Sequence, residues 1–426
     1  MPPPLPRELM EQILGDERLD ERTLARCCRI SRDYLDFVRT RLYSHVDILY
    51  TPADVQIYDD AAYVYDTQSA ALLFTLGRYP HLGGLVRSAA FRMDGYPASN
   101  ICMTRRQAVV SVVNACPKLR RLGCPAWAET EVYHFLKKVK ERSFTLLDLG
   151  FPQDGIWAVL EQRQSSIEHL VFLNSDMGWS FSSAPPDKPL DNLRLRSLII
   201  DQYADETDPV SEVLRALTSA SHHSLSFLRI DFNPYIRSNL GVFSSLAKLE
   251  LNTHEGDDMS DLLAALYTAN HLTYLALHGS ATPGQREHLL RPGNGLATHL
   301  PSTIRALYLP QNFLPDELQA LLPELSRLSA LRLVGFTPPS QPIRLRIWPT
   351  DPSPSPGPLV PDYAGAVQKY AERNLHLVEM DGSWDSDTTC YLRRLRERSI
   401  HERHFGIMQK GKQEERKEGR KKRSGI

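Results

Sequence analysis

Along the middle of this chain one spacing of apolar and polar positions recurs: apolar-x-x-apolar-x-apolar. It reads Val86-Ala89-Phe91, Leu119-Leu122-Cys124, Phe144-Leu147-Leu149, Ile167-Leu170-Phe172, Leu195-Leu198-Ile200 and Leu225-Leu228-Ile230. It continues as Leu246-Leu249-Leu251, Leu272-Leu275-Leu277, Ile304-Leu307-Leu309, Leu328-Leu331-Leu333 and Leu375-Val378-Met380. Successive starts lie 33, 25, 23, 28, 30, 21, 26, 32, 24 and 47 residues apart. Each figure predicts a short strand with one apolar side. Helical spacing appears between several of them: Val132, Phe135, Leu136 and Val139; Val210, Val213, Leu214 and Leu217; Met259, Leu262, Leu263 and Leu266. In Cys116-Pro117-Lys118-Leu119 the proline closes a helix before a strand. One such unit cannot cover its own apolar side, so neighbours must stack. The competing plain reading is a doubly wound α/β domain, which would carry longer apolar strands and a Gly-rich phosphate turn.

Residues 5–46 follow a different pattern, with three short amphipathic helices. Leu5, Leu9 and Ile13 form a stripe beside Met10 and Leu14. Leu24, Cys27, Cys28 and Ile30 make a second face, and Ser31 has the character of an N-cap with Ile30 and Leu35 placed as a hydrophobic staple. Tyr34, Phe37, Val38 and Leu42 line the third helix. So small a unit is marginal alone and must lean on a partner, on the rest of the chain, or on both.

This N-terminal stretch resembles the F-box. The similarity rests on Leu5-Pro6-x-Glu8-Leu9, Ile13-Leu14, the Leu24 helix, Ile30-Ser31 and Arg41-Leu42-Tyr43. The repeats that follow are similar to leucine-rich repeats, whose units run roughly 20 to 29 residues. The resemblance implies that the helix trio docks on a Skp-type adaptor bridging to a cullin-RING ubiquitin ligase. Leu5, Pro6, Leu9, Ile13, Leu24, Ile30 and Ser31 match motif positions for adaptor contact or for packing within the trio. A plain helical cap for the repeats is the alternative.

The expected fold class is α/β, an N-terminal three-helix F-box followed by an irregular leucine-rich-repeat solenoid. Residues 1–48 form the F-box and residues 49–84 a helical connection, with a helix over Ala70–Leu76 that stops before Pro80. The solenoid spans 85–336, lengthened by an insertion over 174–192. Residues 337–361 hold nine prolines and read as a surface loop, 362–390 as a last repeat, and 391–426 as a basic tail.

Charge sharpens that division. The net charge is −1, yet residues 391–426 carry 13 Lys or Arg against 5 Glu, leaving −9 on the rest. An acidic body argues against nucleic-acid binding, although the run Arg416–Arg423 could serve as a nuclear import signal or an RNA-touching arm. No apolar run approaches the length of a membrane span, and the N-terminus does not read as a signal peptide. Six cysteines without disulfide or zinc spacing point to a cytoplasmic or nuclear home.

Enzyme signatures fail. His401-Glu402-Arg403-His404 is one residue short of a zinc-protease motif, and Gly-rich phosphate loops and nucleophile elbows are missing. His222-His223 falls at a helix-to-strand turn, and Asp381, Asp385 and Asp387 lack the glycine and glutamate of a calcium loop. We expect a non-catalytic chain with no cofactor.

The candidate site is instead a sheet face. The third and fifth positions of the repeat point away from the apolar side, and there stand Arg121, Asp148, His169, Phe227, Arg229, Lys248, Glu250, Tyr274, Tyr308 and Arg332. Aromatics and arginines dominate protein interfaces, so Phe227, Arg229, Lys248, Tyr274 and Tyr308 are the expected contacts to a target protein. The alternative is a solvated face, or one covered by the C-terminal segment.

Overall fold

The stacking that the apolar pattern demands takes the form of one long sheet. The computed structural model describes residues 21–27, 35–52, 62–65, 67–93, 101–123, 135–136, 144–148, 156–173, 190–201, 210–254, 256–279, 281–311, 315–337 and 376–379. All of them lie in a unit that ends at Trp384. Among these residues the protein is mixed α/β with fourteen strands in a single open sheet.

The strands are β1 (His45–Pro52), β2 (Ala62–Tyr65), β3 (Ser88–Met93), β4 (Ile101–Thr104), β5 (Arg121–Gly123), β6 (Leu146–Asp148) and β7 (His169–Leu173). They continue with β8 (Ser197–Asp201), β9 (Phe227–Asp231), β10 (Lys248–Asn252), β11 (Tyr274–His278), β12 (Ala306–Gln311), β13 (Leu333–Thr337) and β14 (His376–Glu379). From β5 to β14 each strand pairs in parallel with the next in sequence. At the other end β3 joins β5 to β1, and β2 and β4 extend the sheet in antiparallel fashion.

Register explains the repeat. The second apolar residue of each motif stands opposite its counterpart on the next strand, giving one row: Ala89, Leu122, Leu147, Leu170, Leu198, Leu228, Leu249, Leu275 and Leu307. Every member of that row is buried. The backbone before each strand repeats too. The Arg196 carbonyl accepts from the N–H groups of Ser226 and Phe227, Ser226 O from Ala247 and Lys248, Ala247 O from Thr273 and Tyr274. The row shares one core with helices Val210–Thr218 and Met259–Thr268, through Val213, Leu214, Leu217, Leu262, Leu263 and Leu266. Helices therefore cover the apolar side of the sheet, as the 3.6-residue spacing requires.

Three departures have identifiable causes. First, the frame of β13 moves. Val334, not Leu331, stands opposite Leu307, and Gly335 stands opposite Tyr308. Leu331 then takes the first motif position, and Arg332 precedes the strand in line with Arg305 rather than pointing from its face. Leu328, Leu331, Leu333 and Val334 are all apolar, so two frames fit the pattern. Second, Leu377 rather than Val378 faces Val334 in the last pair, a one-residue slip that exchanges the two faces of β14. Third, β1 runs across the expected boundary between the N-terminal trio and the helical connection, which also supplies β2, and Val46 of β1 extends the buried row beyond Ala89. The connection's expected helix is present as Thr67–Arg78. The Pro-rich stretch after Thr337 and the basic tail lie outside the described residues.

Candidate protein-binding face

The period of two along β9 to β12 brings all five expected target contacts together. Phe227, Lys248, Tyr274 and Ala306 form one cross-strand row, and Arg229, Glu250, Ala276 and Tyr308 the next. The Tyr274 and Tyr308 rings lie 5.3 Å apart at 46°, and the Tyr274 hydroxyl donates to Glu250 Oε1 at 3.3 Å. Gly335 makes room for this pair, since a Cβ there would meet Tyr308 Cδ1 at 2.3 Å.

Exposure divides the five. Lys248, Tyr274 and Tyr308 are half-buried. Phe227 and Arg229, expected as exposed contacts, are only 7% and 9% accessible. Strands about 4.8 Å apart set long side chains directly alongside them. Phe227 is therefore a packing residue of this face. On the neighbouring strands Val171 and Ile199 are also buried, and His169 Nδ1 lies 2.7 Å from Ser197 Oγ. Burial lowers the His169 pKa, Arg121 and Arg196 lower it further, and Glu168 opposes them.

A polar network at the strand ends went unread in the sequence. One position beyond the motif, Asp231, Asn252 and His278 stand side by side. Asn252 Nδ2 donates to Asp231 Oδ1 at 2.7 Å, and His254 Nε2 lies 3.6 Å from Asp231 Oδ2. The Asp231 carboxylate raises the His254 pKa, with burial opposing and Asp257 assisting. His278 Nε2 sits 3.5 Å from Glu250 Oε2, both side chains nearly sealed. The His254 N–H donates to Asp257 Oδ2 at 2.7 Å; burial raises the Asp257 pKa, against the pull of His254. Gln285 closes the network, its Nε2 donating to the His254 carbonyl at 2.7 Å. It is held by a capping box with Thr282. The available signal was an Asp, Asn or His after the last apolar residue on three consecutive strands.

This arrangement pairs and orders charges at the strand ends. Among the described residues no group of three or more His, Cys, Asp or Glu side chains could hold a metal ion. His222 and His223 occupy a turn, the first edge-on to Phe243 at 5.5 Å and the second 2.8 Å from Ser244 Oγ. The motif at His401–His404 and the aspartates at 381, 385 and 387 lie outside the described residues.

Of the expected adaptor contacts, only Leu24 is described. It is 3% accessible and packs on Val38, with Cys27, Phe37 and Leu42 around it. Leu24 thus holds two helices, Glu21–Cys27 and Leu35–Ser44, together. Leu5, Pro6, Leu9, Ile13, Ile30 and Ser31 lie outside the described residues. No described helix is long and apolar enough to cross a membrane. No protein-family model matches the chain, and no curated protein matches its sequence.

Proposed function

We propose that this chain is the substrate-recognition subunit of a Skp–cullin–F-box ubiquitin ligase. In this reading the N-terminal trio is an F-box docking a Skp-type adaptor, and the repeats are a leucine-rich-repeat solenoid binding a target protein. The mechanism is proximity: target and ubiquitin-carrying subunits are held together, which raises their effective concentration. The chain supplies no catalytic group and needs no cofactor. It works in the cytoplasm or nucleus.

The observation that carries the reading is the unbroken in-register row from Ala89 to Leu307, backed by a face where Lys248, Tyr274 and Tyr308 are accessible. Proteins built from stacked repeats bind along such faces. A second reading, an interaction scaffold whose N-terminal helices merely cap the repeats, draws support from the inward packing of Leu24. Capture of the tagged full chain from cells, read by mass spectrometry, separates the two. Adaptor and cullin recovered with a target support the ligase reading; a target recovered without either overturns it in favour of the scaffold.

A further inference from the structure

The first repeats carry a charge opposite to the body around them. Residues 67–128 hold eight Lys and Arg against a single Asp, a net +7 within a chain whose residues 1–390 sum to −9. Where these side chains are described, several stand at the helix ends and turns where strands begin. Lys118 and Arg120 precede β5 and are exposed, while Arg121, which opens β5, is exposed on the sheet face away from the helices. The Arg87 carbonyl, one strand back, accepts from the N–H groups of both Arg120 and Arg121. Next to them the turn Pro80–Gly83 abuts the end of helix Arg105–Ala115, so closely that a Cβ on Gly83 would meet the Ala115 carbonyl at 1.9 Å.

Beside that turn stands an aromatic pair. Phe74 and Tyr79 are 67% and 44% exposed, and the Arg78 guanidinium lies 5.9 Å and 5.8 Å from their ring centres. None of Arg78, Lys118, Arg120 and Arg121 forms an ion pair with a carboxylate among the described residues. Unpaired like charges on adjoining layers repel one another, and an anionic partner relieves that repulsion. Two rings sharing one arginine make an anchor of the size and residue type that concentrates binding energy in protein interfaces.

We propose that this basic island binds an acidic peptide segment of a partner protein, with one aromatic or aliphatic side chain of that segment seated against Phe74 and Tyr79. The acidic remainder of the body disfavours a long polyanion, whereas a short acidic segment meets only the basic island. The site is separate from the β9–β12 face and does not depend on the ligase reading.

The test uses the full chain and a fluorescent peptide of six Glu and Asp residues around one Phe, followed by anisotropy across a salt series. Binding should weaken as salt rises. It should fall roughly tenfold in Arg78→Glu/Lys118→Glu/Arg120→Glu and severalfold in Phe74→Ala/Tyr79→Ala, residue types that dominate interface energetics. Arg327→Glu, on a distant repeat, should leave it unchanged. The milder Arg78→Gln/Lys118→Gln pair must follow the same direction, which keeps the test informative if charge reversal disturbs folding. Equal binding by all variants overturns the proposal and assigns the peptide to the basic tail. So does equal affinity for the peptide with Phe replaced by Ala. Tighter binding of a single-stranded oligonucleotide through the same residues also overturns it, in favour of nucleic acid.

Discussion

Replacing Gly279 by Ala probes how closely neighbouring repeats approach, because two separate costs meet at that residue. Gly279 has φ +96°, a region that L side chains occupy at a cost of about 1–3 kcal/mol. A Cβ there would also sit 2.1 Å from the Thr253 carbonyl oxygen, a backbone atom that cannot swing aside. Relieving the contact means parting the chain by roughly 1 Å. The links at stake are Thr253 N–H to the His278 carbonyl at 2.9 Å, Thr253 Oγ1 to the same oxygen at 2.8 Å, and Gln311 N–H to the Gly279 carbonyl at 2.9 Å. Losing one or two of these costs about 1 kcal/mol each, so Gly279→Ala should destabilise by about 3 kcal/mol. Gly293 supplies the control, with φ +72° and no described atom within 4 Å of an added Cβ; Gly293→Ala should cost about 1 kcal/mol. Denaturant unfolding gives both values, and amide exchange at Thr253 and Gln311 should quicken only in Gly279→Ala. Equal costs for the two substitutions would refute the close approach.

Leu249→Ala, at the centre of the buried row, should cost about 3 kcal/mol by denaturant unfolding; a cost below about 1 kcal/mol would mean that the row is not a packed interior. His254 adds a pH signature. Its folded pKa is raised above the unfolded value of about 6.5, so its stabilisation is complete below that pH and is lost as pH climbs through the raised value. The stability difference between the wild type and His254→Gln should therefore shrink as pH rises above about 6.5, and a constant difference would contradict the Asp231 pairing. Against a target recovered by capture, Tyr274→Ala with Tyr308→Ala should weaken binding by roughly thirtyfold, as an interface anchor does. Phe227→Ala should chiefly lower thermal stability; the reverse assignment would reject the division of this face into accessible and packing residues.

Much of this architecture could be read from spacing alone. Nine motifs from Val86 to Leu309 fall in the register their leucines imply, because a buried row tolerates no slip. The frame was lost where apolar residues were in excess, at Leu328 to Val334, and only the glycine needed beside Tyr308 resolves it. It slipped again at β14, where Leu375, Leu377 and Val378 offer competing choices. Strand β1 was missed although Tyr43-x-x-Val46-x-Ile48 carries the repeat spacing, because those residues also read as the end of the N-terminal trio.

The face itself was legible through the two-residue period, which grouped Phe227, Arg229, Lys248, Tyr274 and Tyr308 correctly. Their burial was not, since accessibility depends on what stands beside each side chain across the strands. The link from Asp231 to His254 escaped notice for a related reason. Its members are separated by 23 residues of sequence numbering, and hydrogen-bond partners on different strands have no common spacing.

Direct binding of the purified full chain to a purified Skp-type adaptor, followed by calorimetry, bears hardest on the proposed role. A one-to-one complex that disappears in Leu9→Asp/Ile13→Asp, while circular dichroism shows the repeats still folded, is the predicted outcome. Absence of any complex, or equal binding by the double variant, would contradict it.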